Sequence, residues 1–191
     1  MDRREFLEVM AGLSALVPGL FTAEACAQAH ARAKSDGKLR TLDSGQEATV
    51  TRVADLIVPQ TDTVGAVGVG VTGFIDLLLT ESMLPKQRDR FLEGLAAINA
   101  RSQTLYGAPL PSAAQEQQVT LLRALDAQLP HRNPTPAETR ALAKEPVTAE
   151  RGFAMLKGLV LLGYFTAEPV AKELLISAPI IPGRYDGCIP V

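Results

Sequence analysis

Gly68, Gly70 and Gly73, in the run "GVGVTG", satisfy the spacing G-x-G-x-x-G. In that pattern, glycines let a backbone close on the pyrophosphate of a dinucleotide. The chemistry also needs a strand leading into the loop, a helix opening at it, and an acidic residue about 20 positions later. The residue at that distance is Glu93, in the middle of an apolar stripe of helical period. Asp62, Asp76 and Glu81 are carboxylates that could pair for acid–base work, but such acids cover the outside of any helical protein. The two histidines, His30 and His131, lie far apart, and His131 sits in the proline-rich run "PHRNPTP" with no second ligand beside it. Cys26 and Cys188 are the only cysteines, too few for a disulfide scaffold or a four-ligand zinc site. No Ser, His and Asp share a neighbourhood. These residues predict no catalytic, cofactor-binding or metal site in this chain, and the glycines read as a connector passing close to another backbone.

The elements around them read as helices. Ser44-x-x-Glu47 is a capping box, followed by Val50, Val53, Ala54 and Ile57 on one face, with Pro59 as the stop. A short helix over about Phe74–Met83 turns Ile75, Leu78 and Leu79 inward. Another starts at Pro85 and carries Phe91, Leu95, Ile98 and Leu105. Ser112-x-x-Gln115 opens a helix with Val119, Leu122, Leu125 and Leu129 facing in, and a short helix follows over about Ala137–Lys144. After a cap at Thr148, every residue from Gly158 to Gly163 is apolar or glycine. A helix apolar on all sides is a buried one, so this segment is the expected centre of the fold, with Gly158 and Gly163 admitting close neighbours. Thr166 is the expected cap of a last helix, and the prolines and glycines of "SAPIIPGRYDGCIPV" make 177–191 an extended tail. The expected class is all-α: one compact helical domain around a buried hydrophobic helix.

Composition narrows the function. The chain has 191 residues, 47% of them hydrophobic, with net charge −2. That supplies a core and leaves no basic footprint for nucleic acid. Aromatics are 5% and tryptophan is absent, a poor stock for base or sugar stacking.

The first residues have the order of an export address. Arg3 and Arg4 stand one residue, Glu5, before Phe6 and Leu7. A mildly apolar run of 13 residues, Val9 to Phe21, follows, and then small residues at A-x-A spacing, Ala25-Cys26-Ala27 and Ala27-Gln28-Ala29. The apolar run is short of the about 20 residues that span a bilayer. Paired arginines before Phe-Leu resemble a twin-arginine signal, although Asp2 and Glu8 depart from the usual residues. Such signals are read by a translocase that moves folded proteins. The expected division is therefore a signal segment 1–29, a linker 30–43 and a helical domain 44–191. An ordinary amphipathic N-terminal helix is the other reading of the start. The sequence leaves cleavage and the pairing of Cys26 with Cys188 open.

At "LLGYFTAEPVAKELL" (161–175) and "PGRYDGCIPV" (182–191) the chain resembles the gluconate 2-dehydrogenase subunit 3 family; "ADLIVPQTD" (54–62) and the arginine pair extend the likeness over most of its length. The resemblance implies an accessory, non-catalytic subunit without a cofactor of its own. Its partner would be a glucose-methanol-choline-type flavoprotein that binds FAD and oxidises a sugar. A multihaem cytochrome c, with haem c, would take the electrons. The small subunit would carry the twin-arginine address for both and help the large one mature, placing the complex in the periplasm, associated with the membrane. The sugar stays open. On this reading Tyr164, Phe165, Ile180, Ile181, Arg184, Tyr185, Asp186 and Ile189 are the partner-binding candidates, since aromatic residues and arginine concentrate at interface hot spots. A periplasmic helical interaction protein unrelated to redox is the alternative.

Overall fold

A computed structural model of the chain describes residues 23–36, 39–130, 135, 138 and 141–172. Among them the elements are α1 (Ala23–Asp36), α2 (Ser44–Ile57), α3 (Val71–Glu81), α4 (Pro85–Tyr106), a 3-10 turn (Leu110–Ser112), α5 (Gln115–Ala127), α6 (Ala149–Phe165) and the one-turn α7 (Glu168–Val170), with no strand among the described residues. The all-α expectation holds.

α6 is the axis. The Thr148 hydroxyl accepts from the Arg151 N–H at 3.4 Å and starts the helix. From Gly158 to Tyr164 every residue is buried, as its all-round apolar sequence predicts. α4 lies along α6 over the longest interface, and α2, α3 and α5 complete the ring. Phe153, Leu156, Leu159 and Val160 of α6 join Phe91, Leu95 and Ile98 of α4 and Phe74, Ile75 and Leu78 of α3 in one core. Each such side chain contributes about 1.5–3 kcal/mol on burial. The tightest crossing is Gly94 of α4 against Gly152 of α6, where the two backbones touch. The sequence reading placed close approach at Gly158 and Gly163. At Gly163 the neighbour is the Phe74 ring, 2.8 Å from where a Cβ would stand.

Several helix starts differ from the expected ones. The N-cap of α2 is Asp43, one residue before Ser44: its carboxylate accepts from the Gln46 N–H at 2.8 Å, and the Gln46 side chain accepts from the Asp43 N–H at 3.0 Å. α3 starts at Val71, earlier than Phe74, because Gly70 adopts the left-handed conformation (φ 82°) and turns the chain into the helix. α5 starts behind Ala114, where the Gln117 side chain accepts from the Ala114 N–H at 3.1 Å; Leu121 and Gln118 are buried in it and Val119 is half-buried. Thr166 ends α6 rather than starting α7, whose N-cap is Ala167. α4 begins at Pro85, as expected, and closes on left-handed Gly107 (φ 73°).

α1 lies ahead of these elements in the chain. The helix runs through positions 29 and 30, where the sequence places the join of signal segment and linker. It packs on α3, with Cys26, Ala29 and His30 buried and Ala33 half-buried, an i, i+3, i+4, i+7 face.

Candidate functional site

The glycine loop does not form a dinucleotide cradle. It follows a helix and a turn, and its amides are spent on its own carbonyls: Val69 N–H donates to Gly65 O, Gly70 N–H to Val67 O and Val71 N–H to Ala66 O, at 3.0–3.2 Å. Ala66 and Val71 are fully buried. A pyrophosphate would need those amides pointing outward. The loop is a turn that launches α3.

The three carboxylates do not converge on a substrate. Asp76, 3% exposed, accepts the backbone N–H groups of Arg40, Thr41 and Leu42 at 2.8, 2.9 and 2.8 Å. It ties the irregular stretch before α2 onto α3. Glu81, one turn on, pairs with Arg32 of α1 at 2.8 Å and with Arg40 at 3.1 Å. Asp62 is exposed in the turn after Pro59.

His30 has a structural place. Its ring stacks on Phe74 with centroids 4.2 Å apart and planes 13° from parallel. Its Nε2 lies 3.2 Å from Thr166 Oγ1. The Thr166 hydroxyl donates to Leu162 O at 2.6 Å. A hydroxyl has one proton to give, so its oxygen accepts and His30 Nε2 is the donor. The Cys26 thiol also meets Thr166, and burial pushes its pKa up. A thiol held protonated is a poor nucleophile, so Cys26 and His30 dock α1 rather than form a catalytic dyad. His131 and Cys188 lie outside the described residues.

Other buried and half-buried polar groups hold loops in the same way. The Asn99 side chain donates to Thr49 Oγ1 at 2.9 Å and accepts from Leu110 N–H at 3.1 Å. Gln118 donates to Ala113 O at 2.8 Å and accepts from Arg52 at 2.6 Å. Arg90 and Arg151 both donate to Leu142 O, at 3.0 and 2.6 Å, closing the turn before α6. An open groove of about 370 Å³ between the start of α2 and the 108–112 stretch is lined by Asp43, Gln46, Thr49, Asn99, Pro109 and Pro111. Of its polar side chains, those of Asp43, Gln46, Thr49 and Asn99 are already engaged in these caps and bridges, and exposed Ser112 completes the lining. Among the described residues, every buried side-chain nitrogen and oxygen has a partner, no His, Cys, Asp and Glu group could hold a metal ion, and no helix is long and apolar enough to cross a membrane.

Of the partner-binding candidates, Tyr164 is 4% exposed and belongs to the core, so its ring does not reach the surface. Phe165 is half-buried, its ring edge-on to Tyr164 at 5.2 Å. Ile180, Ile181, Arg184, Tyr185, Asp186 and Ile189 of the tail, and Arg3, Arg4, Phe6 and Leu7 of the signal, lie outside the described residues. The docking of α1 through Cys26, His30 and Thr166 is what sequence reasoning missed; the spacing of Cys26, Ala29, His30 and Ala33 carried the signal.

No curated protein and no solved structure matches the chain. The model of one family does, over residues 44–183, from the first residue of α2 onward. The chain belongs to the gluconate 2-dehydrogenase subunit 3 family.

Proposed function

We propose that this chain is the non-catalytic small subunit of a periplasmic, FAD-dependent sugar dehydrogenase, and that it escorts the flavoprotein through export and stabilises it. The family match over 44–183 carries the coarser part: an accessory subunit of a dehydrogenase complex. Two features support the finer part. The described body spends its buried polar groups on loops and caps, as a packing protein does. The start of the chain pairs Arg3 and Arg4 before Phe6-Leu7, an address read on folded cargo. In this reading FAD and sugar contacts lie in a glucose-methanol-choline-type partner, haem c lies in a cytochrome subunit, and the tail around Arg184 and Tyr185 grips the flavoprotein.

The test is purification of the chain from its native host with whatever accompanies it. The expected companion is a large subunit with an oxidised-flavin absorption spectrum and sugar-dependent dye reduction. Flavin and turnover in the isolated small chain would overturn the assignment. Arg3→Lys with Arg4→Lys is expected to leave both subunits in the cytoplasm and take periplasmic dehydrogenase activity to background; undiminished activity there refutes the escort role. Deleting Ile180–Val191 is expected to lower the yield of co-purified flavoprotein, and an unchanged yield removes the tail from the interface.

A further inference from the structure

We propose that α1 is a permanent part of the folded subunit, so that the cut invited by the A-x-A residues, after Ala27 or Ala29, does not take place. The inference rests on the export reading above. It concerns a stretch that lies before the family match, which begins at residue 44.

The two bonds at issue, Ala27–Gln28 and Ala29–His30, lie within the helical backbone of Ala23–Asp36. Exposed Ala27 and Gln28 are flanked by Cys26, 3% exposed, and Ala29, 8% exposed. One turn on, His30 is fastened twice, by its stack on Phe74 and its bond to Thr166. Arg32 then clasps Glu81 with contacts of 2.8 and 2.9 Å, and Ala33 lies against Gly73 of α3. A peptidase works on extended, accessible chain, so a bond inside a docked helix is cut only when the helix lifts away. Lifting α1 would unstack His30 and expose Phe74, which is fully buried.

The products would also be poor. A cut after Ala27 removes Cys26 and leaves an empty place beside Thr166. A cut after Ala29 puts a charged α-amino group on His30, whose ring is buried against Phe74. The route of export decides whether the peptidase meets this obstacle. A chain threaded unfolded presents A-x-A before α1 can dock; a chain carried folded presents it already seated. The same alanines that resemble a cleavage site are therefore closed off by the fold that the twin-arginine route preserves.

Intact mass of the chain recovered from periplasmic and membrane fractions tests this. The expected chain contains Ala23–Asp36 unbroken, whether uncut or cut earlier; a chain beginning at Gln28 or His30 overturns the proposal while leaving export intact. Amide exchange of the purified full-length chain is the companion measurement. Protection of residues 28–33 by at least about 100-fold over an unstructured chain is expected, and exchange at the unstructured rate overturns the seating of α1. Thr166→Val keeps the side chain's shape and removes the hydroxyl. It is expected to speed exchange in α1 by about fivefold and to admit a fraction cut after Ala27; unchanged exchange removes Thr166 as the lock. A chain that stays wholly in the cytoplasm overturns the export reading, and the exchange experiment then decides the seating of α1 alone.

Discussion

Asp76→Ala is expected to destabilise the chain by about 3–5 kcal/mol, because three backbone donors, one buried and two partly buried, lose their acceptor together. The N–H groups of Arg40, Thr41 and Leu42 all point at this one carboxylate. A hydrogen bond to a charged group contributes about 1.5–3 kcal/mol, and an orphaned buried donor costs about 1–3 kcal/mol. Arg40 is exposed, so water can recover part of its share, which keeps the total below the plain sum. At about 2–4 °C per kcal/mol for a chain of this size, the midpoint should fall by about 6–20 °C. Asp76→Asn retains one acceptor for Thr41 and Leu42 but turns an amide NH2 toward the Arg40 N–H, so about half the loss is expected. Glu81→Gln is the contrast. Its partners Arg32 and Arg40 are about half exposed, and exposed ion pairs contribute about 0–1 kcal/mol. Thermal melts of the three variants separate the cases; an Asp76→Ala midpoint within about 2 °C of the parent would refute the anchoring role.

The contrast between Asp76 and Glu81 shows what the sequence could and could not convey. Both are acids on α3, and as letters they suggest one carboxylate pair. Only the fold says that one faces inward onto backbone amides and the other outward onto arginines. The long apolar signals were legible: the Gly158–Gly163 stretch of α6 is apolar on every side and buried on every side, and Pro85 starts a helix as its fixed φ favours. Caps were less legible because boxes overlap. Asp43-x-x-Gln46 and Ser44-x-x-Glu47 are equally good by residue type, and the structure uses the first, directly after the stretch that Asp76 holds. α1 was hidden by ambiguity of another kind. Alanine is the small residue of a cleavage site and also the best helix former, so "ACAQAHA" reads both ways. Its inward face carries Cys26, Ala29, His30 and Ala33 at helical spacing, a signal weakened by the mixed hydropathy of those residues. The candidate site was least legible: the proposed role, binding another chain, calls for no internal constellation of polar groups that residue types would signal.

The α4–α6 crossing gives the second large effect, and it comes from adding atoms rather than removing them. A Cβ on Gly152 would stand 2.5 Å from Gly94 O, and one on Gly94 would stand 2.6 Å from the Gly152 Cα. Both obstacles are backbone, so no side chain can swing aside. Relieving the clash means parting the helices by about 1 Å, and a gap of 0.5–1 Å forfeits about a quarter to a half of the attraction across it. The side chains beside the crossing include Phe91, Leu95, Phe153 and Leu156, all in the central core. Alanine also gains about 1 kcal/mol over glycine in a helix interior, which works in the other direction. Ordinary overpacking costs about 1–3 kcal/mol; with rigid backbone on both sides, Gly152→Ala should cost about 3–5 kcal/mol net, and Gly94→Ala about the same. The double variant should cost much less than the sum, since the first substitution already opens the space the second needs. Gly73→Ala supplies the control. Its added methyl meets Ala33 at 3.7–3.8 Å, ordinary contact, so this third glycine of the G-x-G-x-x-G run should tolerate alanine with unchanged or slightly raised stability. A dinucleotide loop would not, because that glycine is there to let helix and strand close together. Denaturant titrations of the four variants read both halves of the argument: a Gly152→Ala chain as stable as the parent would mean that the helices are not in backbone contact, and a collapse at Gly73→Ala would mean that α1 sits closer to α3 at Ala33 than ordinary contact.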